Sequence, residues 1–147
     1  MDLDEVDRKI LGLLKGDARM QFAEIGKKVS LSAPAVHARV KKMEANGVIA
    51  RYTVDINPTA VDRSLCAFIR IQRNKGLSQT IADAFLKIKQ IEECHAVAGE
   101  DCLIVKLRVE SSLELAKILD QVRSIEGIDR TVTAVVLETH FERGLGV

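Results

Sequence analysis

The chain has 147 residues, 47% apolar and 29% charged, a composition that supports a packed core and excludes a disordered or low-complexity chain. No apolar run approaches the roughly 20 residues that span a bilayer, and the acidic start (Asp2, Asp4, Glu5) is unlike a secretory signal, so a cytoplasmic protein with no membrane partner is expected. The net charge of +1 is divided unevenly: Lys27, Lys28, Arg39, Lys41, Lys42 and Arg51 face the single acid Glu44 between Lys27 and Arg51, whereas twelve basic residues meet thirteen acidic ones from Asp62 onward.

The first segment reads as three helices. Leu3, Val6, Ile10, Leu13 and Leu14 recur with a 3.6-residue period, with Asp2 or Asp4 placed to cap the helix and Gly16 to end it. Phe22, Ile25 and Val29 form a second, shorter stripe. A third helix runs from a cap at Ser32, with Pro34 in the first turn, to a stop at Asn46-Gly47, and Val36, Val40 and Met43 form its buried stripe. Val48 to Ile56 is rich in β-branched residues and reads as a short strand or wing. This gives a first domain over 1–56, a connector over 57–63 and a second domain over 64–147.

The second domain contains an approximate repeat. A strand over Leu65 to Gln72, a helix over Ser78 to Ile88 and a strand over Cys94 to Ala98 form the first half. A strand over Cys102 to Val109, a helix over Ser112 to Ser124 and a strand over Thr131 to Leu137 form the second. Two such units predict a ferredoxin-like βαββαβ fold, a four-stranded antiparallel sheet with both helices on one face. The overall class is therefore α+β, three helices with a short strand or wing followed by a ferredoxin-like module. Apolar residues occur at both parities of the later strands, so the second sheet face also needs a cover, and a second copy of the chain is expected to supply it.

On the third helix each residue advances by about 100°, which sends Pro34, Ala35, Ala38, Lys41 and Lys42 away from the buried stripe and puts His37 and Arg39 on its flanks. Small side chains near the N-terminus, cations toward the C-terminus and Arg51 just beyond suit an approach to the DNA major groove with phosphate contacts. Ser32 and the first-turn N–H groups, Ala33 included, are placed to hold a phosphate. A solvated basic face on an ordinary three-helix bundle is the competing reading. What separates the two is the order: two helices, a cap, a small-residue start, a basic run and a glycine stop.

Leu3-Asp4, Asp7, Ile10-Leu11, Asp17-Ala-Arg19, Glu24-Ile25, Leu31-Ser32, Val36, Arg39-Val40, Glu44, Gly47-Val-Ile49, Tyr52, Val97-Ala-Gly99, Gly127 and Val135-Val-Leu137 together resemble the leucine-responsive and AsnC-like (Lrp/AsnC, feast/famine) regulators. The resemblance covers nearly the whole chain. It implies a winged helix-turn-helix with Ser32 to Met43 as recognition helix, an ACT-like (RAM) second domain that dimerises and binds amino acids or related metabolites, and dimers that associate further, often to octamers. Arg39 would then contact DNA as well as pack the helix. Ser30 stands where the family usually has Gly, and Cys102 where it often has Asp.

A free amino acid needs N–H donors for its carboxylate and an acid for its ammonium. Ala98, Gly99, Glu100, Asp101 and Cys102 at the hairpin between two strands offer close backbone approach and two carboxylates, and the resemblance adds Thr131 and Thr133 from a neighbouring subunit. Read without it, the hairpin is an ordinary turn and the threonines are ordinary strand residues. The cysteines Cys66, Cys94 and Cys102 lack zinc-ligand or redox spacing, and neither metal nor cofactor is expected. With no glycine-rich phosphate loop, nucleophile elbow or metal-ligand cluster, an enzyme is not expected, and His140 reads as a tail residue. The remaining alternative is an effector-sensing interaction module that does not bind DNA.

Overall fold

The computed structural model describes residues 2–74 and 78–146. Two compact units emerge, Met1–Asp55 with Arg143–Val147, and Ile56–Glu142. Among the described residues at the end of the chain, 143–146 cluster with the first unit.

In the first unit, Asp4 caps α1 (Glu5–Gly16) in a reciprocal capping box with Asp7, and the apolar stripe buries Ile10 and Leu14. Helix α2 (Phe22–Val29) contributes Ile25, and α3 (Ala33–Ala45) contributes Val36, Val40 and Met43 to the same core. Each of these side chains gives about 1.5–3 kcal/mol on burial, enough together to hold three short helices that would be marginal alone. Between α2 and α3, Ser30 adopts the left-handed conformation (φ 57°, ψ 42°) and the Leu31 amide donates to the Gly26 carbonyl at 2.9 Å. The tight turn expected of a glycine is made here by a serine.

Gly47 at φ 70° ends α3 as expected, with the Val48 amide returning to the Met43 carbonyl at 2.9 Å. The following segment departs from the sequence reading. Residues 48–56 form no ladder with any described residue, and Tyr52, Val54 and Ile56 are exposed. β-Branched content favours an extended backbone, but a strand exists only against a partner. The wing is therefore absent as a strand. Residues 57–63 are also more than a connector: Asn57 caps a 3₁₀ turn over Pro58–Val61, and Arg63 donates to the Lys89 carbonyl at 2.9 Å.

The second unit is the expected antiparallel sheet, in the order β2-β3-β1-β4, with β1 (Leu65–Arg73), β2 (Ile91–Ala96), β3 (Leu103–Val109) and β4 (Ile128–Val135). Helices α4 (Ser78–Phe85) and α5 (Ser112–Arg123) pack on the face formed by Ala67, Ile69, Ile71, Leu103, Val105, Leu107 and Val109. Helix α4 stops three residues early because Lys87 and Ile88 bond three residues back, to Ala84 and Phe85, which tightens the last turn. Strand β2 starts at Ile91 rather than Cys94, since Glu92 and Glu93 pair with cations on β3 instead of forming a loop. Strand β4 starts at Ile128 and ends at Val135, leaving Leu137 exposed.

The opposite sheet face carries Cys66, Phe68, Ile104, Lys106 and Arg108. Part of its cover comes from the chain itself. The carboxylate of Glu142 accepts from Lys106 Nζ and, at 2.6 Å, from Arg108 Nη2, and residues 138–142 line a cavity of about 310 Å³ together with Cys66, Phe68 and Val136.

Candidate nucleic-acid interface and effector site

Helix α3 is held from below by Val36, Val40 and Met43, so the opposite side is free to face a ligand. Ser32, Pro34, His37, Ala38, Lys41 and Lys42 are exposed, while Ala33 and Ala35 are half-buried. Pro34 has no amide, Ser32 Oγ accepts from the Ala35 amide at 3.3 Å and the Ser32 carbonyl takes the Val36 amide, which leaves the Ala33 N–H as the uncommitted first-turn donor among the described residues.

The cations differ in their engagements. Lys41 Nζ lies 2.8 Å from Glu44 Oε2 yet keeps 64% of its side chain exposed, and Lys42 makes no ion pair among the described residues. Hydrogen bonds from Lys41 and then from Tyr52 hold the Glu44 carboxyl below its usual range. Partial desolvation, then the hydrogen bond it donates to Glu44 Oε1 and the Glu44 charge, push the Tyr52 phenol up. Arg51 is exposed beyond α3 and lines a cavity of about 420 Å³ with Leu11, Leu14, Lys15 and Tyr52. The His37 ring is tilted against Phe22, with centroids 5.3 Å apart. Arg39, expected on DNA as well as in helix packing, places Nη1 2.7 Å from both Asp4 Oδ2 and Asp7 Oδ1. That pairing links residues more than 30 positions apart and has no signature in the local sequence. Lys27 and Lys28, outside the expected contact set, are exposed on the last turn of α2.

The hairpin between β2 and β3 gathers Ala98 to Cys102 into one turn, closed by the Val97 amide on the Cys102 carbonyl at 3.1 Å. Gly99 sits at φ 145°, a conformation glycine alone adopts readily, and its Cα is open to solvent. Ala98 and Glu100 are exposed, whereas the Asp101 carboxylate is largely covered and lies 3.7 Å from Arg70 Nη1. Arg70 was not anticipated. Within one chain the threonines do not join this turn: Thr131 and Thr133 pair with Ile71 and Ile69 across β1, on the helix-covered face, and Thr131 Oγ1 accepts from Arg123 at 3.3 Å.

Residues 3–44 match the AsnC-type helix-turn-helix domain and residues 66–145 match the Lrp/AsnC ligand-binding domain. The chain belongs to the Lrp/AsnC family. It is 37% identical over 142 residues to the HTH-type transcriptional regulator FL11 of Pyrococcus abyssi, covering 97% of this chain and 94% of that protein. It is 36% identical to the leucine-responsive regulatory protein of Escherichia coli, over 93% of this chain and 86% of that one. Escherichia coli AsnC superposes with a TM-score of 0.89 over the full length of both chains at 26% identity. A Neisseria meningitidis transcriptional regulator in complex with L-Met superposes with a TM-score of 0.91 at 26% identity, over 97% and 94% of the two chains. As a member of the Lrp/AsnC family, this protein is a helix-turn-helix transcription regulator with a ligand-binding domain, and both matched domains are regulatory rather than enzymatic. Among the described residues no helix is long and apolar enough to cross a membrane.

Proposed function

We propose that the chain is a sequence-specific regulator that works in the cytoplasm as a dimer or larger homo-oligomer and inserts α3 into the DNA major groove. The observation that carries this reading is the outward side of α3. Ala35 and Ala38 permit close approach there, and Lys41 and Lys42, with Ser32, Ala33, Pro34, His37 and Arg51 around them, face backbone phosphates. Self-association is supported by the exposed Phe68, Val135 and Leu137 in the second unit and by the exposed apolar side chains of Tyr52, Val54 and Ile56, in a run that forms no ladder among the described residues.

The effector is an amino acid or a related metabolite held at residues 98–102, with Thr131 and Thr133 contributed by a neighbouring subunit. Arg70 beside Asp101 and the exposed Glu100 give that turn both charges a zwitterion requires. L-Met in the Neisseria meningitidis relative is a ligand of the same class.

Mobility shifts on genomic fragments at two salt concentrations test the reading. With about six phosphate contacts per head, affinity falls with a log-log slope of about −0.9 per contact, and Lys41→Ala/Lys42→Ala weakens binding to all sequences and flattens that slope. Salt-insensitive or undetectable binding would favour an effector-sensing module that does not use DNA.

A further inference from the structure

We propose that Arg39 is a positioning residue: the carboxylates of Asp4 and Asp7 hold it so as to fix the rotation of α3 against α1, and with it the direction in which Ala38, Lys41 and Lys42 face. The inference rests on the DNA-binding reading and assigns Arg39 a role other than phosphate contact.

The three side chains form a closed set. Asp4 Oδ1 accepts from the Asp7 amide at 2.7 Å, Asp4 Oδ2 and Asp7 Oδ1 each accept from Arg39 Nη1 at 2.7 Å, and Asp7 Oδ2 accepts from the Asp4 amide at 3.3 Å. All four carboxylate oxygens are therefore used, and the capping box that starts α1 is also the seat of the α3 guanidinium. The Asp7 side chain is only 5% exposed. Withdrawing Arg39 toward a phosphate would leave that carboxylate buried without its cation, which is strongly unfavourable.

Charge decides the same way. One guanidinium and two carboxylates sum to −1, so the group as a whole repels a phosphate rather than attracting one. Its geometric leverage is large. Arg39 lies about 60° around the helix from Val36, on the flank that meets α1, and a 20° roll of α3 would move side-chain atoms at its surface by about 2 Å. Hydrogen bonds to bases and phosphates do not survive displacements of that size.

The test uses the full chain and two probes, a duplex selected by the wild-type protein from a randomised pool and poly(dI-dC) as unselected DNA. Asp7→Asn removes a negative charge near the interface, so electrostatics alone would tighten binding. The positioning role instead predicts an affinity for the selected duplex about tenfold weaker, with poly(dI-dC) bound at least as well as by wild type. Arg39→Met loses affinity for the selected duplex to a similar extent with an unchanged salt slope, and the double variant is no worse than either single one because the residues act as a unit. A slope reduced by about 0.9 in Arg39→Met, the signature of one lost phosphate contact, or tighter binding of the selected duplex by Asp7→Asn, overturns the proposal. If Asp7→Asn does not fold, Asp4→Asn carries the test, since the Asp4 side chain is 53% exposed, and the same direction of change is expected. A wild-type protein that enriches no duplex from the pool and does not bind poly(dI-dC) would instead sink the DNA-binding reading itself.

Discussion

Replacing Gly26 by alanine pits two effects of opposite sign against each other. Gly26 is buried in the second half of α2, where alanine gains about 1 kcal/mol of helix propensity. A Cβ at this position, however, would lie 2.4 Å from the backbone carbonyl oxygen of Leu31, about 1 Å inside van der Waals contact. The obstacle is main chain, placed between the left-handed Ser30 and the α3 cap at Ser32, so no rotamer change relieves it. Overpacking of this kind costs about 1–3 kcal/mol, and because the clash is with backbone the upper part of that range applies. The net expectation for Gly26→Ala is a loss of about 1–2 kcal/mol, or roughly 4–8 °C in Tm per kcal/mol for a unit of this size. Thermal denaturation of the full chain followed by far-ultraviolet circular dichroism measures it. DNA affinity falls as well, because Leu31 leads directly into α3. A variant that melts at or above the wild-type temperature would show that the turn yields without strain and would refute the reasoning.

Ser30→Gly should act in the opposite direction. Relief of the left-handed strain, about 1–2 kcal/mol for an L side chain, exceeds the added chain entropy of about 0.4–1 kcal/mol, so the variant gains up to about 1 kcal/mol in denaturant unfolding; a lowered midpoint would contradict this. The Lys106 hydrogen bond, then the Lys106 and Arg108 charges, hold the Glu142 carboxyl below its usual range. A carboxyl depressed in the folded state contributes stability above its unfolded pKa of about 4.3 and loses it as pH falls through the lower folded value. The Tm gap between wild type and Glu142→Gln should therefore be open at neutral pH and close on acidification below that point; a gap that persists unchanged into strong acid argues against the pairing. Among the twenty amino acids, a true effector at 100 times its Kd adds about 2.7 kcal/mol, visible as a thermal shift, and Glu100→Gln, which removes an exposed charge without straining the turn at Gly99, should reduce the shift while leaving the Tm of the free protein near the wild-type value. No shift with any of the twenty would leave the effector reading without support.

Much of this architecture is written in local signals. The caps at Asp4 and Ser32, the stop at Asn46-Gly47 and the buried stripe Val36, Val40, Met43 are short-range patterns, and the structure follows them. The repeated strand, helix, strand pattern likewise foretold the sheet and its helix-covered face. What escaped depends on residues far apart in the chain. Val48 to Ile56 has the composition of a strand, but composition does not say whether a partner strand exists. Glu142 carries no local sign of its pairing with Lys106 and Arg108, so the second sheet face was expected to wait for another copy, whereas its own C-terminal segment takes part of the cover. Arg39 is the sharpest case, since helical spacing put it on a flank without disclosing the two aspartates that receive it. At the candidate effector site the turn over residues 98–102 was legible because Gly99 marks it. Strand alternation, however, turns Thr131 and Thr133 toward the helices, and Arg70 joins Asp101 only through the β1–β3 pairing.

Photocrosslinking from α3 tests the central claim most directly. With p-benzoylphenylalanine in place of Ala38 on the outward side of α3, and separately in place of the exposed Gly12 on α1, each full-length protein is irradiated with a labelled duplex that the wild type binds. The account predicts a protein–DNA crosslink from position 38, suppressed by competing unlabelled duplex, and none from position 12. Bound DNA that crosslinks from position 12 while position 38 stays silent would contradict it.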